Sequence, residues 1–337
     1  DAHAHLGWAV IKTSAIGKDT YSQPNLIDHL RRAAYFGISA TRNLGTDVGD
    51  IAYGIRAQPA PGAALLRTAG RGMAMPNAGP GADYWRPVAY GVTNEAEARA
   101  AVRELAAMKA DVVKLWVDDR NKTVKKLTPE LRRAIIDEAH KNNMQTIAHI
   151  FYLEDAKDLL KAGIDAFAHG VRDIDIDDEY LAMLKARPEV YVIPNLPDNP
   201  DQPLDPTWLG ETIPASEIQK LQDAIAKRTP EATKTARDFF GVQARNLAKV
   251  NAAGVKIVFG TDSGTSVGWF AHAELADLVT AGMTPAQVLV AATKNSAEVL
   301  KLTDRGSVAT GKVADFVVLD ANPLDDIRNS RRISQVF

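Results

Sequence analysis

The chain has 337 residues, 46 % hydrophobic and 24 % charged, with a formal net charge of −2. That balance fits a globular protein of one large domain and a small appendage. It offers neither the basic stripe of a nucleic-acid binder nor the apolar run of roughly 20 residues that spans a bilayer. The expected partner is therefore a small molecule, with no nucleic acid and no membrane; self-association into a homo-oligomer stays open. Cysteine is absent, which removes disulfides, thiolate nucleophiles and Cys-bound zinc. A metal would have to sit on histidine, carboxylate or modified lysine. Asp1 opens the chain without an initiator Met or a signal-type apolar segment, so the N-terminus reads as trimmed, and the compartment, cytoplasmic or periplasmic, is not assigned.

Short runs rich in β-branched residues alternate with helix-period segments, the pattern of βα units around a parallel sheet. A strand ending near His3 comes first, followed by strands over Ser39–Leu44 and Ala64–Met73 and a Gly- and Pro-rich loop, Pro76–Tyr90. A helix over Asn94–Lys109 opens on Asn94 with Glu97 three positions on, a capping pattern. The strand Asp111–Val117 leads to a helix over Thr128–Asn142, with Pro129 at its first helical position. Next come strand Thr146–Ile150, helix Leu153–Ala162 closing on Gly163, strand Ala166–His169 and helix Asp178–Lys185. Strand Val190–Asn195, a second long loop from Pro197 to Pro214, helix Thr233–Ala252 closing on Gly254, and strand Lys256–Gly260 complete the series. Eight strands alternating with helices predict an α/β fold, a (β/α)₈ TIM-like barrel over residues 1–302. Beyond Leu302 the pattern turns to Gly-punctuated strands. Gly306 and Gly311-Lys312 have the spacing of a phosphate loop, but Val313 stands where Ser or Thr is required.

The chemistry-bearing residues fall at predicted strand ends. In His3-Ala4-His5 the histidines are two apart, so on a strand both rings leave the same face and can reach one metal. Lys114 lies inside the apolar strand Asp111–Val117. Burial there would lower its pKa, and a neutral amine can add CO₂ to become an anionic carbamate ligand; an ion pair with Asp118 is the alternative. His149 and His169 end two successive strands, and Asp262 follows the last. The C-terminal strand ends of a barrel converge on one face. Among the others, His29 and His140 lie on helical segments, and His272, on the helix after Asp262, is a candidate for lining the site mouth. Tyr152 and Arg172 follow strand ends and are candidate substrate contacts; Arg172 suits a substrate carboxylate, or else an ion pair with Asp173 or Asp175.

His3, His5, Lys114, His149, His169 and Asp262, in that order, resemble the metal-site constellation of the amidohydrolase superfamily. The stretches Asp1–Leu6, Ala40–Gly45, Val112–Asp119, Ala134–His149, Ala162–Gly170, Gly254–Gly264 and Gly306–Asp326 carry the resemblance. Local wording is similar to the imidazolonepropionase-like branch, which includes Xaa-Pro dipeptidases. The resemblance implies that residues 303–337 are closing strands of a small β-sandwich whose N-terminal strands are not in this chain. It also implies two divalent metals, Zn²⁺ foremost, bridged by N6-carboxylated Lys114. His3, His5 and Asp262 would hold one metal, and His149 and His169 the other. The implied reaction is hydrolysis of an amide, peptide-like or ester bond by metal-activated hydroxide, with Asp262 as proton shuttle. Two alternatives remain: a mononuclear enzyme opening a cyclic amide or deaminating a heterocycle, and a non-catalytic barrel scaffold.

Overall fold

The computed structural model describes residues 1–203 and 205–337; position 204, within the Pro197–Pro214 loop, lies outside the described residues. Its strands are β1 (Ala9–Val10), β2 (Ala15–Ile16), β3 (Ala40–Asn43), β4 (Leu65–Thr68), β5 (Met73–Ala74), β6 (Tyr90–Gly91), β7 (Val113–Val117), β8 (Thr146–Ile150), β9 (Ala166–Ala168), β10 (Tyr191–Ile193), β11 (Lys256–Ile257), β12 (Val317–Leu319) and β13 (Ile333–Val336). The helices are α1 (Gln23–Tyr35), α2 (Ile51–Ala57), α3 (Glu95–Ala107), α4 (Pro129–Lys141), α5 (Leu153–Ala162), α6 (Asp178–Lys185), α7 (Pro206–Leu209), α8 (Ala215–Ala226), α9 (Pro230–Ala252), α10 (Trp269–Thr280), α11 (Pro285–Val290) and α12 (Ser296–Val299). Among the described residues no helix is long and apolar enough to cross a membrane.

Strands β7 to β11 run parallel in sequence order, and β3 pairs in parallel with β4. The gap between β4 and β7 is bridged by the Asp111 N–H donating to the Thr68 carbonyl at 2.8 Å. Residues 1–5 close the ring: the Ala4 N–H donates to Arg42 at 3.0 Å on one side, and the His5 N–H to Ser263 at 2.9 Å on the other. The result is the predicted eight-stave (β/α)₈ barrel, with the small β5–β6 pair attached beside β7.

Local chemistry explains where the elements start and stop. Asn94 accepts the Glu97 N–H at 3.0 Å, while the Glu97 carboxylate accepts the Thr93 N–H at 2.7 Å. Thr128 caps α4 ahead of Pro129, and Gly163, at φ +97°, terminates α5 in the left-handed conformation that suits glycine. The predicted strand Ala64–Met73 divides into β4 and β5, because Gly70 turns the chain at φ +63°. Helix α9 begins three residues before the predicted position, where Thr229 accepts the Ala232 N–H at 3.1 Å.

Side chains alternate across each strand. Val112, Ile147, Ala166, Tyr191 and Val258 form part of an inner cluster, and the larger outer cluster packs helices against the barrel. The same alternation turns Lys114, two residues after Val112, and His149, two after Ile147, inward. Gly45 and Gly72 make room for this arrangement. At Gly45, with φ +100°, a Cβ would lie 2.7 Å from Trp116 Cη2 and 2.9 Å from Lys114 Cγ.

Strands β12 and β13 form a separate antiparallel pair, joined through a 3₁₀ turn at Ile327–Arg331. This turn meets His272. Its Nδ1 lies 3.0 Å from Ser330 Oγ and its Nε2 3.0 Å from the Phe36 carbonyl. The candidate role at the site mouth is thereby corrected: His272 is a buried tie between α10, the end of α1 and the C-terminal turn.

Gly45→Ala is expected to destabilise the protein by about 1–3 kcal/mol through overpacking and backbone strain. Urea denaturation checks this, and an unchanged midpoint would refute the packing role given to Gly45.

Candidate metal centre

The ends of four strands, those of residues 1–5, β8, β9 and β11, deliver side chains to one end of the barrel, and β7 adds Lys114 from within the strand. His3 Nε2 and His5 Nε2 each lie 3.0 Å from Asp262 Oδ1, and 3.3 Å from one another. His169 Nε2 is 3.5 Å from Asp262 Oδ2. The His149 and His169 rings pack edge to face, with centroids 4.6 Å apart. The three donors of His3, His169 and Asp262 lie within 4.8 Å of one another, a spacing that fits a metal ion.

The hydrogen bonds behind the rings decide what faces inward. Asn195 Oδ1 lies 2.7 Å from His3 Nδ1 and can only accept, so His3 carries its proton there. Its Nε2 is then a bare lone pair pointing at a carboxylate oxygen. Burial foremost, then the neighbouring Lys114 ammonium, pushes the His3 pKa down to about 3, so a second proton does not fill the gap near neutrality. Two acceptors at 3.0 Å repel unless a cation lies between them. His5 is braced through Nδ1 by Thr46 Oγ1 at 2.9 Å, and its ring packs against Trp85 with centroids 5.2 Å apart. Fixing a ligand imidazole through its second nitrogen is the usual support of a metal site.

Lys114 is fully buried, and its Nζ has no hydrogen-bond partner among the described residues. Burial is the main cause that brings its pKa down to about 7; Asp262 opposes the shift, while Arg42, Arg172 and Arg120 add to it. The alternative pairing with Asp118 is not formed, because Asp118 Oδ2 is shared between Arg120 at 2.8 Å and His149 Nε2 at 3.1 Å. His149 therefore points at Asp118 rather than at Asp262. Both ring nitrogens of His169 are buried without a hydrogen-bond partner among the described residues. Burial, followed by the charge of Arg172, holds His169 well below the ordinary histidine range, in the neutral form that ligates metals.

A cleft of about 380 Å³ opens above Asp262 and His169, lined also by Arg172, Asn195, Tyr84, Trp85 and Phe270. The Asp262 side chain is 38 % exposed to it. Arg172 has no carboxylate within ion-pair reach among the described residues: Asp175, one of its candidate partners, pairs with Arg245 at 2.9 Å. Tyr152 is engaged elsewhere, donating to Asp119 Oδ1 at 2.8 Å.

His169, Asn195 and Asp262 all adopt positive φ, at 75°, 44° and 55°. Non-glycine residues in this region are strained, and such strain gathers at functional sites. Sequence reasoning singled out neither Asn195 nor Thr46. Asn195 closes a predicted strand, so the rule that exposed the histidines would have found it. Thr46 lies in a loop and carries no such signal.

The sequence profile of the amidohydrolase family matches residues 1–337. Ochratoxinase from Aspergillus niger is 29 % identical over 320 residues, which cover 85 % of this chain and 58 % of the relative; the chain thus spans little more than half the length of that protein. The solved structure of A. niger ochratoxinase superposes with a TM-score of 0.75 at 21 % identity, covering 100 % of this chain and 80 % of the other. A Xaa-Pro dipeptidase with methionine bound in its active site gives a TM-score of 0.74 at 22 % identity, covering 100 % and 83 %. Both likenesses concern the fold, whereas the profile spans the entire sequence: this chain belongs to the amidohydrolase family.

Proposed function

We propose that this chain is a metal-dependent hydrolase of C–N bonds, acting on an amide or peptide-like substrate that carries a free carboxylate. The bare His3 lone pair aimed at the Asp262 carboxylate is the observation that carries the metal-dependent part of the reading. His3, His5 and Asp262 would hold one divalent metal, for which Zn²⁺ suits the imidazole and carboxylate donors. His169 would hold a second together with His149, once His149 leaves Asp118. Lys114, with a pKa of about 7, is neutral in much of the population at neutral pH. Its Nζ lone pair can attack the carbon of CO₂ and lose a proton, giving the anionic carbamate expected to bridge two metals.

When bound, the metal lowers the pKa of water and polarises the substrate carbonyl. Asp262, exposed to the cleft, accepts the proton of the attacking water and returns it to the leaving amine. The unpaired Arg172 guanidinium binds the substrate carboxylate in a fork. Trp85 and Asn195 keep the two ligand histidines from turning. The functions in the names of ochratoxinase and the Xaa-Pro dipeptidase agree with this class of reaction. The His149–Asp118 pair favours a second reading, a mononuclear amidohydrolase in which Lys114 stays a plain amine.

Metal analysis of protein purified without chelators is expected to find Zn²⁺ or a similar ion, and Zn²⁺ at a hundredfold its Kd should stabilise the fold by about 2.7 kcal/mol. Lys114→Ala should lower the metal content per chain if the site is binuclear and leave it unchanged if it is mononuclear. Asp262→Asn should reduce kcat by about 10²–10⁴-fold, the range of general acid–base catalysis; an unaffected rate would sink the role given to Asp262. Arg172→Gln should cost about 10–100-fold in kcat/KM on N-acyl amino acids, in line with a lost charged hydrogen bond. The same change should leave the corresponding carboxamides unaffected, and equal losses on both would remove Arg172 from carboxylate recognition.

A further inference from the structure

A second cavity, of about 310 Å³, adjoins the cleft. The two share Thr265 and Ser266, three and four residues after Asp262. Its lining is mostly aliphatic and aromatic: Val10 and Ile16 from the β1–β2 hairpin, Ile213 and Leu221 beside and on α8, and Val267 and Trp269 at the start of α10. Ile16 is 39 % exposed, a large apolar side chain at the cavity wall. The charges at the rim are already neutralised. Arg32 pairs with Asp28 at 2.7 Å and donates to the Thr212 carbonyl at 3.0 Å, and Lys220 pairs with Glu217 at 2.7 Å. The groove therefore selects for apolar area and leaves no charge for a ligand to satisfy. Each cavity alone lies near the lower end of the roughly 300–1,000 Å³ typical of small-molecule sites.

Resting on the amide-hydrolase reading above, we infer that this groove is the acyl subsite, and that the substrate is an N-acyl amino acid with an extended apolar acyl chain. The carboxylate of the amino-acid half lies at Arg172, the amide over Asp262, and the acyl chain passes Thr265 and Ser266 into the groove. The two cavities share Thr265 and Ser266 on the loop that carries Asp262, and this proximity to the reacting amide favours an acyl chain over a second copy of the chain as the occupant.

The test uses the Zn²⁺-loaded protein and the series acetylglycine, hexanoylglycine and dodecanoylglycine. Since each methylene in an apolar pocket is worth about 1 kcal/mol or more, kcat/KM should rise at least about 10-fold from acetyl to dodecanoyl. Ile16→Glu and Leu221→Glu, each placing a charge in the groove, should abolish that rise and leave acetylglycine within about twofold of the parent. A flat series in the parent protein, or equal losses on short and long substrates in variants with an unchanged circular dichroism spectrum, would overturn the subsite. If none of the three is cleaved, acylglycines are not substrates, and the groove is judged by binding. Saturable quenching of tryptophan fluorescence by dodecanoylglycine, lost in Leu221→Glu, would then uphold it, and absence of saturation would overturn it. Sedimentation showing a dimer that both variants dissociate would assign the groove to self-association instead.

Discussion

The whole site depends on one electrostatic constraint: a carboxylate oxygen and an imidazole lone pair brought to about 3 Å with no proton between them. The imidazole is that of His3. Its proton is committed to Asn195 on one side, which leaves Nε2 as an acceptor facing Asp262 Oδ1. A fold that maintains such a contact without a cation works against Coulomb repulsion in a water-poor pocket. The surrounding structure supplies the restraint: Asn195 behind His3, Thr46 and Trp85 around His5, and left-handed backbone at His169, Asn195 and Asp262. Together these features are the support that the proposed metal site would need.

Lys114 shows how the barrel transmits this constraint. Strand alternation obliges one residue in two to face the interior, and Val112 and Trp116 set the parity that turns Lys114 inward. Gly45 and Gly72 give up side chains where Lys114 and Trp116 pass. The amine is left without a hydrogen-bond partner, among positive neighbours, with its charged form disfavoured. An unpaired buried amine is costly for a fold, so its retention points to chemistry at the nitrogen rather than to packing. At His149 the side chain is turned another way: its Nε2 faces Asp118 Oδ2, an oxygen that Arg120 also holds.

Much of the barrel was legible because helix caps and hydrophobic periodicity are local. Asn94, Thr128 and Gly163 mark their helix ends through contacts within a few residues, and the parallel strands are continuous apolar runs. The break in Ala64–Met73 was not legible, since a glycine such as Gly70 inside an apolar run is compatible with a strand until Tyr53 and Leu105 from other segments pack against it. His272 failed for a related reason. Its position in the chain, shortly after Asp262, says nothing of Ser330 and Phe36, which meet it from distant segments.

The sequence by itself determined the identity and order of the donors, their placement at strand ends, and the absence of any thiolate. These follow from residue type and from periods of two and 3.6, which no distant contact can change. Only the tertiary structure decided which donors face one another. It joined residues 1–5 to both β3 and the Ser263 segment, turned His149 towards Asp118, left Arg172 unpaired above Asp262, and enlisted Asn195 and Thr46 as braces. Those outcomes depend on distances between atoms far apart in the chain, set by barrel closure and by which buried charges find partners.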